Sequence, residues 1–193
     1  ISRGLVGSEM CIRDRSCDTY FYEVARLLGV DRLNITAEKF GLGKKVLGDY
    51  FDNEKKGLFP NTKWKKNNLG KGWVLGETLI TGIGQGYTQT TPLQLCMMTA
   101  QIANGGYKIK PKIIVDSNPV SYEDAKQSME SGLLFDTDSE ELIDKKLFKD
   151  KKNIKIVQEA MFASTNERFG TSYKSRIDDP KYQFAGKTGT AQV

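Results

Sequence analysis

The sequence predicts a mixed fold of the α/β (α+β) class, and two observations carry that reading. Helical spacing recurs, first at Phe21, Val24, Ala25 and Leu28 and again after Thr91-Pro92. Runs with strand character occupy residues 107–115 and 182–191. A chain of 193 residues, 38% apolar and 27% charged, suits one globular domain or part of a larger one, and not a disordered tail.

The first helix is expected from Cys17 to Leu28, capped by Ser16 or Asp18 and stopped by Gly29. A second, short helix is expected over residues 36–40, ended by Gly41. Residues 53–72, rich in Lys, Asn and Gly and broken by Pro60, read as a long loop with Phe59 and Trp64 as anchors. Lys63, Lys65 and Lys66 beside those aromatics do not make a nucleic-acid surface, because no recognition motif accompanies them. Gly82-Ile83-Gly84-Gln85-Gly86 lacks the Gly-Lys-Ser/Thr of a phosphate loop, so its glycines are read as turn residues.

Thr91 as N-cap and Pro92 at the first helical position then open a helix. Its apolar face is expected to comprise Leu93, Cys96, Met97, Ala100 and Ala103, and Asn104-Gly105-Gly106 ends it. Residues 116–152, with ten acidic and six basic side chains, read as a surface insertion holding a short helix near 140–148. Ile154, Val157 and Met161 mark a last helix, closed near Gly170-Thr171. Residues 1–15 follow no periodic pattern and, on the run from Val6 to Asp14, are expected to be a non-native, adapter-derived segment, leaving 16–193 as the domain.

Several chemistries are excluded at once. The chain contains no histidine, which removes Ser-His-Asp and Cys-His catalysis, His-ligated zinc and an imidazole switch. Cys11, Cys17 and Cys96 form no CxxC or pairing pattern, so no metal or disulfide framework is indicated. A net charge of +5 is too weak and dispersed to argue for nucleic acid. Acid–base work must run on Lys, Ser, Tyr or carboxylates.

Lys187-Thr188-Gly189 offers a cation for a carboxylate, hydroxyl donors and an unobstructed backbone edge. Alone, the tripeptide is short enough to arise by chance, and a surface strand with a solvated lysine accounts for it. Ser16-Cys17-Asp18, alone, reads as a helix N-cap. Together, Ser-x-x-Lys, Ser-x-Asn and Lys-Thr-Gly define the penicillin-recognising serine acyl-transferases, which need no histidine.

The stretches SCDTYFYEVA, GLFPNTKW, GWVLGETLITGIGQGYTQTTPLQL, ANGG and FAGKTGTAQV occur in the order seen in class B penicillin-binding proteins. The chain resembles their elongation type, the penicillin-binding protein 2 group, over most of residues 16–193. That resemblance implies a transpeptidase domain, incomplete at both ends, in which an antiparallel sheet is flanked by helices. It implies a peptidoglycan D,D-transpeptidase working through a serine ester. In that scheme Ser16 relays a proton to the leaving amine, and Lys187 sets the positive potential and tunes the relay. Thr188 and Thr190 hold the carboxylate of a stem peptide or a penicillin, the Thr190 N–H supplies half an oxyanion hole, and Gly189 lets the substrate lie alongside.

Asp18 stands where the family pattern has Asn, as it does in elongation-type members. No Ser-x-x-Lys occurs anywhere in the chain; Thr36-Ala37-Glu38-Lys39 has the spacing with the wrong residue. The family places that motif upstream of Ser16. The resemblance implies D-Ala-D-Ala stem peptides, β-lactams and a membrane glycan polymerase as partners. It implies neither cofactor nor metal nor nucleic acid, and a location on the periplasmic face of the bacterial inner membrane. A β-lactamase or β-lactam sensor, or a non-enzymatic cell-wall binding module, are the rival readings.

Overall fold

The computed structural model of the protein describes residues 17–47, 53–109, 111 and 146–189. They fall into two compact units, one drawing on residues up to Asn34, 60–88 and Lys155 onward, the other on 35–59 and 89–154. In chain order the helices are α1 (Asp18–Leu28), α2 (Val30–Lys39), α3 (Thr62–Leu69), α4 (Leu75–Gly82), α5 (Pro92–Ala103) and α6 (Lys152–Asn166). Two 3₁₀ turns follow, Tyr173–Ser175 and Pro180–Tyr182.

In the first unit α1 is the expected helix with a different start. Its N-cap is Cys17, which makes no side-chain cap bond, and Asp18 is the first helical residue. There the carboxylate lies at the positive end of the helix dipole instead of capping it. Gly29 ends the helix, its N–H donating to the Ala25 carbonyl at 2.8 Å. Helix α1 packs on α4, where Gly82 meets Ala25 and the Phe21 carbonyl so closely that no side chain fits at position 82. Helix α2 begins six residues earlier than the short helix the sequence suggested, at Val30.

The stretch 53–72 is not wholly a loop, because α3 occupies its second half. Asn61 Oδ1 accepts from the Trp64 N–H at 2.7 Å, and Gly70, left-handed at φ 65°, donates to the Lys66 carbonyl at 3.1 Å. Tertiary bonds reinforce the cap. The Thr62 N–H and hydroxyl donate to the Asp31 carboxylate at 2.9 and 3.0 Å, and Asn61 Nδ2 donates to Asn34 Oδ1 at 3.2 Å. A composition reading weighs the Lys and Asn content and misses the pair of terminal signals that decides the conformation.

In the second unit α5 opens as expected, with Thr91 and Gln94 exchanging backbone-to-side-chain bonds of 3.2 and 3.0 Å. Its buried residues differ from the apolar face expected. Cys96 and Ala103 are exposed, whereas Gln94 is 0% and Gln101 2% accessible. Gln94 Nε2 donates to the carbonyls of Lys44 and Lys56 at 2.7 and 2.8 Å, and Gln101 Nε2 to that of Phe40 at 3.0 Å. These carbonyls lie in turns and coil; a buried glutamine satisfies them where an alkyl side chain would orphan them. Ala37, Leu42, Leu147 and Ile154 supply the unit's apolar core.

No strand occurs among the described residues; two isolated antiparallel bridges, Leu58 to Gln89 and Tyr107 to Lys146, take that place. Of the strand expected at 107–115, residues 110 and 112–115 lie outside the described residues, and Tyr107 contributes only its bridge. The strand expected at 182–191 is not formed over its described part. Residue 182 closes a 3₁₀ turn and 183–189 have no regular structure. A strand exists by its inter-strand ladder, and these residues instead bond to α6. The helix expected near 140–148 lies mostly outside the described residues, and its described end, from Lys146, is bridge and bend. Helix α6 follows the periodicity of Ile154 and Met161, and Gly170 closes the turn after it with a bond to Glu167. No helix among the described residues is long and apolar enough to cross a membrane.

Candidate active site

Of the residues singled out by sequence, Asp18, Lys187, Thr188 and Gly189 are described; Ser16 and Thr190 lie outside the described residues. Lys187, Thr188 and Gly189 are exposed on a segment fastened to the C-terminal end of α6. The Gly186 N–H donates to the Met161 carbonyl at 3.1 Å. Asn166 Nδ2 donates both to Phe162 in its own helix, at 3.0 Å, and to the Phe184 carbonyl, at 2.9 Å. Beyond these bonds Lys187 Nζ turns onto Thr188, donating to its carbonyl at 2.7 Å and its hydroxyl at 3.3 Å.

Asp18, at the start of α1, lies within electrostatic reach of Lys187. Partial desolvation pulls the Lys187 ammonium below the ordinary lysine range, and the Asp18 carboxylate opposes that pull. The fold thus brings two residues from opposite ends of the chain into one field. A cation beside a hydroxyl and a side-chain-free position is a receptor for a carboxylate, and a lysine drawn downward is closer to taking part in proton exchange.

A second polar cluster was not legible in the sequence. Lys65, its side chain 6% accessible, pairs with Glu77, 19% accessible. Glu77 also accepts from the Val74 N–H at 3.0 Å and the Tyr87 hydroxyl at 3.4 Å. Trp73 Nε1 donates to Thr78 Oγ1 at 2.8 Å, and the Trp64 and Tyr87 rings stand 5.3 Å apart. Burial acts to raise the Glu77 carboxyl, but the bonds from Lys65, Val74 and Tyr87 together hold it below the ordinary carboxylate range. Lysine is rarely buried, so Lys65 resembles its exposed neighbours Lys63 and Lys66 in composition. It falls between the stretch GLFPNTKW, which ends at Trp64, and the block from Gly72 that holds Glu77, so no motif marked it.

Comparison with known proteins decides what these elements belong to. The family model for the penicillin-binding protein transpeptidase domain matches residues 12–193. The chain belongs to this family. It is 34% identical to the peptidoglycan D,D-transpeptidase MrdA of Acinetobacter baumannii, over 92% of this chain and 24% of that protein. It is 31% identical to MrdA of Escherichia coli, over 93% of this chain and 26% of that protein. The chain therefore spans about a quarter of the length of these curated relatives. Among solved structures it is similar to Pseudomonas aeruginosa penicillin-binding protein 2 in complex with WCK 5153. That likeness has a TM-score of 0.73 and 38% identity, and it covers 96% of this chain and 38% of the other. The Helicobacter pylori penicillin-binding protein 2 in complex with MreC gives 0.73 and 31%, covering 95% and 30%. The expected resemblance to the elongation type and to its transpeptidase fold is borne out by these relatives, even though the described residues form no sheet ladder.

Proposed function

We propose that this chain is part of a peptidoglycan D,D-transpeptidase of cell-wall elongation, acting on the periplasmic face of the inner membrane. The observation that supports the reading is the match of residues 12–193 to the transpeptidase family, with Lys187, Thr188 and Gly189 exposed together on one segment. In this reading the reaction is acyl transfer: a serine attacks the penultimate D-Ala carbonyl of a stem peptide, the terminal D-Ala leaves, and an amine from a neighbouring stem resolves the ester. Lys187 supplies positive potential, Thr188 and Thr190 hold the substrate carboxylate, and Gly189 leaves room for the peptide. Ser16 passes the proton to the leaving amine under the influence of Lys187 and Asp18. The partners are stem peptides, β-lactams and a glycan polymerase in the membrane. The family's Ser-x-x-Lys is absent from residues 1–193, and the reading takes it from a segment beyond them.

Intact mass spectrometry after incubation with excess benzylpenicillin tests this. The complete polypeptide carrying the chain is expected to gain one stoichiometric adduct, mapped outside residues 1–193, while the 193-residue chain alone gains none. An adduct on the short chain at Ser16 or Thr36 overturns the assignment of the nucleophile. No adduct on the complete polypeptide favours the non-enzymatic module, and rapid loss of the adduct favours a β-lactamase.

A further inference from the structure

Among the described residues the segment that carries Lys187 joins no ladder, and its bonds run to α6. Three observations converge on the last two turns of α6. The Gly186 N–H bonds to the Met161 carbonyl at 3.1 Å. Asn166 Nδ2 bridges the Phe162 and Phe184 carbonyls at 3.0 and 2.9 Å. Thr165 is 0% accessible, and its Oγ1 would stand 3.1 Å from a Cβ at position 186; that hydroxyl has no hydrogen-bond partner among the described residues. A glycine at 186 lets the backbone lie against Thr165, and Asn166 fixes the residue two positions earlier.

We infer that Asn166 is a positioning residue for the proposed acylation, setting the location of Lys187 and Thr188 by tying the Phe184 carbonyl to the end of α6. This rests on the transpeptidase reading. The amide is suited to the task because its two donors serve two carbonyls at once, one in the helix and one in the segment. An aspartate of the same shape has no donor to give either. A displacement of about 1 Å at the carboxylate receptor is enough to cost on the order of 100-fold in rate. Loss of this one tie, with the Gly186 bond retained, is expected to cost roughly tenfold or more.

The test compares the complete polypeptide with its Asn166→Asp variant by acylation kinetics and by hydrogen exchange of the 184–189 amides. A third protein, Ile154→Val, sets the scale for a packing loss in the other unit. The expected result is a second-order acylation rate constant reduced about tenfold or more. Exchange at Gly186 to Gly189 is expected to quicken, with the α6 amides unchanged. Ile154→Val should lower the melting temperature and leave the acylation rate of the folded protein alone. Should Asn166→Asp leave exchange at 184–189 unchanged, or act only in proportion to its melting-temperature loss, the positioning role is wrong. If the wild-type polypeptide is not acylated at all, the transpeptidase reading falls, while the exchange comparison still decides whether Asn166 holds the segment.

Discussion

The block from Asn61 to Tyr87 and the segment from Gln183 to Gly189 belong to the same compact unit, yet they are held in opposite ways. The first hides its polar groups: a lysine and a glutamate are withdrawn from water and bonded to a tyrosine, a backbone N–H and each other. The second exposes its lysine and threonine and is fastened by a few hydrogen bonds to one helix end. Buried charge makes a region intolerant of change, because any partner removed leaves the other stranded. Exposed charge on a tethered segment is tolerant for folding and sensitive for chemistry. The family resemblance is densest in the first region, and the proposed chemistry sits in the second.

The largest effect should come from splitting the buried pair. Lys65→Met leaves Glu77 uncompensated and is expected to cost about 3–5 kcal/mol of stability, read from the urea midpoint. Adding Glu77→Leu should recover much of that loss, since an apolar pair of similar volume needs no partner. A double variant as unstable as the single would mean that Glu77 is solvated and the cluster is not one unit.

Next is Lys187→Ala in the complete polypeptide. An exposed side chain away from the core should change stability by no more than about 0.5 kcal/mol. Loss of a preorganised charge at the reacting centre should slow penicillin acylation by about 10²–10³-fold. Equal losses in melting temperature and labelling, with a normal rate in the folded fraction, would erase the contrast between the two regions.

Acid gives a gentler probe. Glu77 is held below its ordinary range in the folded protein, so the unfolded chain binds its proton first as pH falls. Its contribution is fully present above the unfolded value and is lost as pH drops through the folded one. Stability should therefore decline on the acid side of the ordinary glutamate range, and Glu77→Gln should flatten that part of the profile. An unchanged slope in the variant would assign the acid loss to other carboxylates.

What could be read from the sequence follows the same division. Helices α1, α5 and α6 were legible from apolar spacing, with Gly29 and Thr91-Pro92 marking termini, although the cap of α1 and the buried face of α5 differ from those expected. The proposed site residues rest on a short motif whose setting, and not its composition, gives it meaning. Helix α3 was hidden by its lysines, and the buried faces of α5 by an assumption that burial is apolar. Gln94 and Gln101 are buried for the carbonyls they bond, a demand set by turns distant in sequence. The strand character of residues 182–189 is a propensity, and propensity yields a strand only where a neighbour completes the ladder. Asn166 gave no signal, because one asparagine near a helix end reads as a terminus residue until its partner across the turn is seen.

The smallest effect compares how two helices of this unit begin. Helix α3 starts on Asn61, whose side-chain oxygen accepts the Trp64 N–H at 2.7 Å and whose amide nitrogen reaches Asn34. Helix α1 starts on Cys17, which has no side-chain cap bond. Asn61→Ala removes an acceptor from an otherwise orphaned N–H and should cost about 1 kcal/mol. Cys17→Ala removes no such bond and should stay within about 0.5 kcal/mol. Cys17→Ser goes further, since a hydroxyl there can accept from the first-turn N–H groups and should add stability of up to about 1 kcal/mol. Urea midpoints for the three variants check the ranking. If Cys17→Ala proves as costly as Asn61→Ala, the half-buried thiol contributes packing at the start of α1 that the absence of a cap bond conceals. In that case the helix that presents Asp18 to Lys187 is held at its first residue more firmly than its hydrogen bonds indicate.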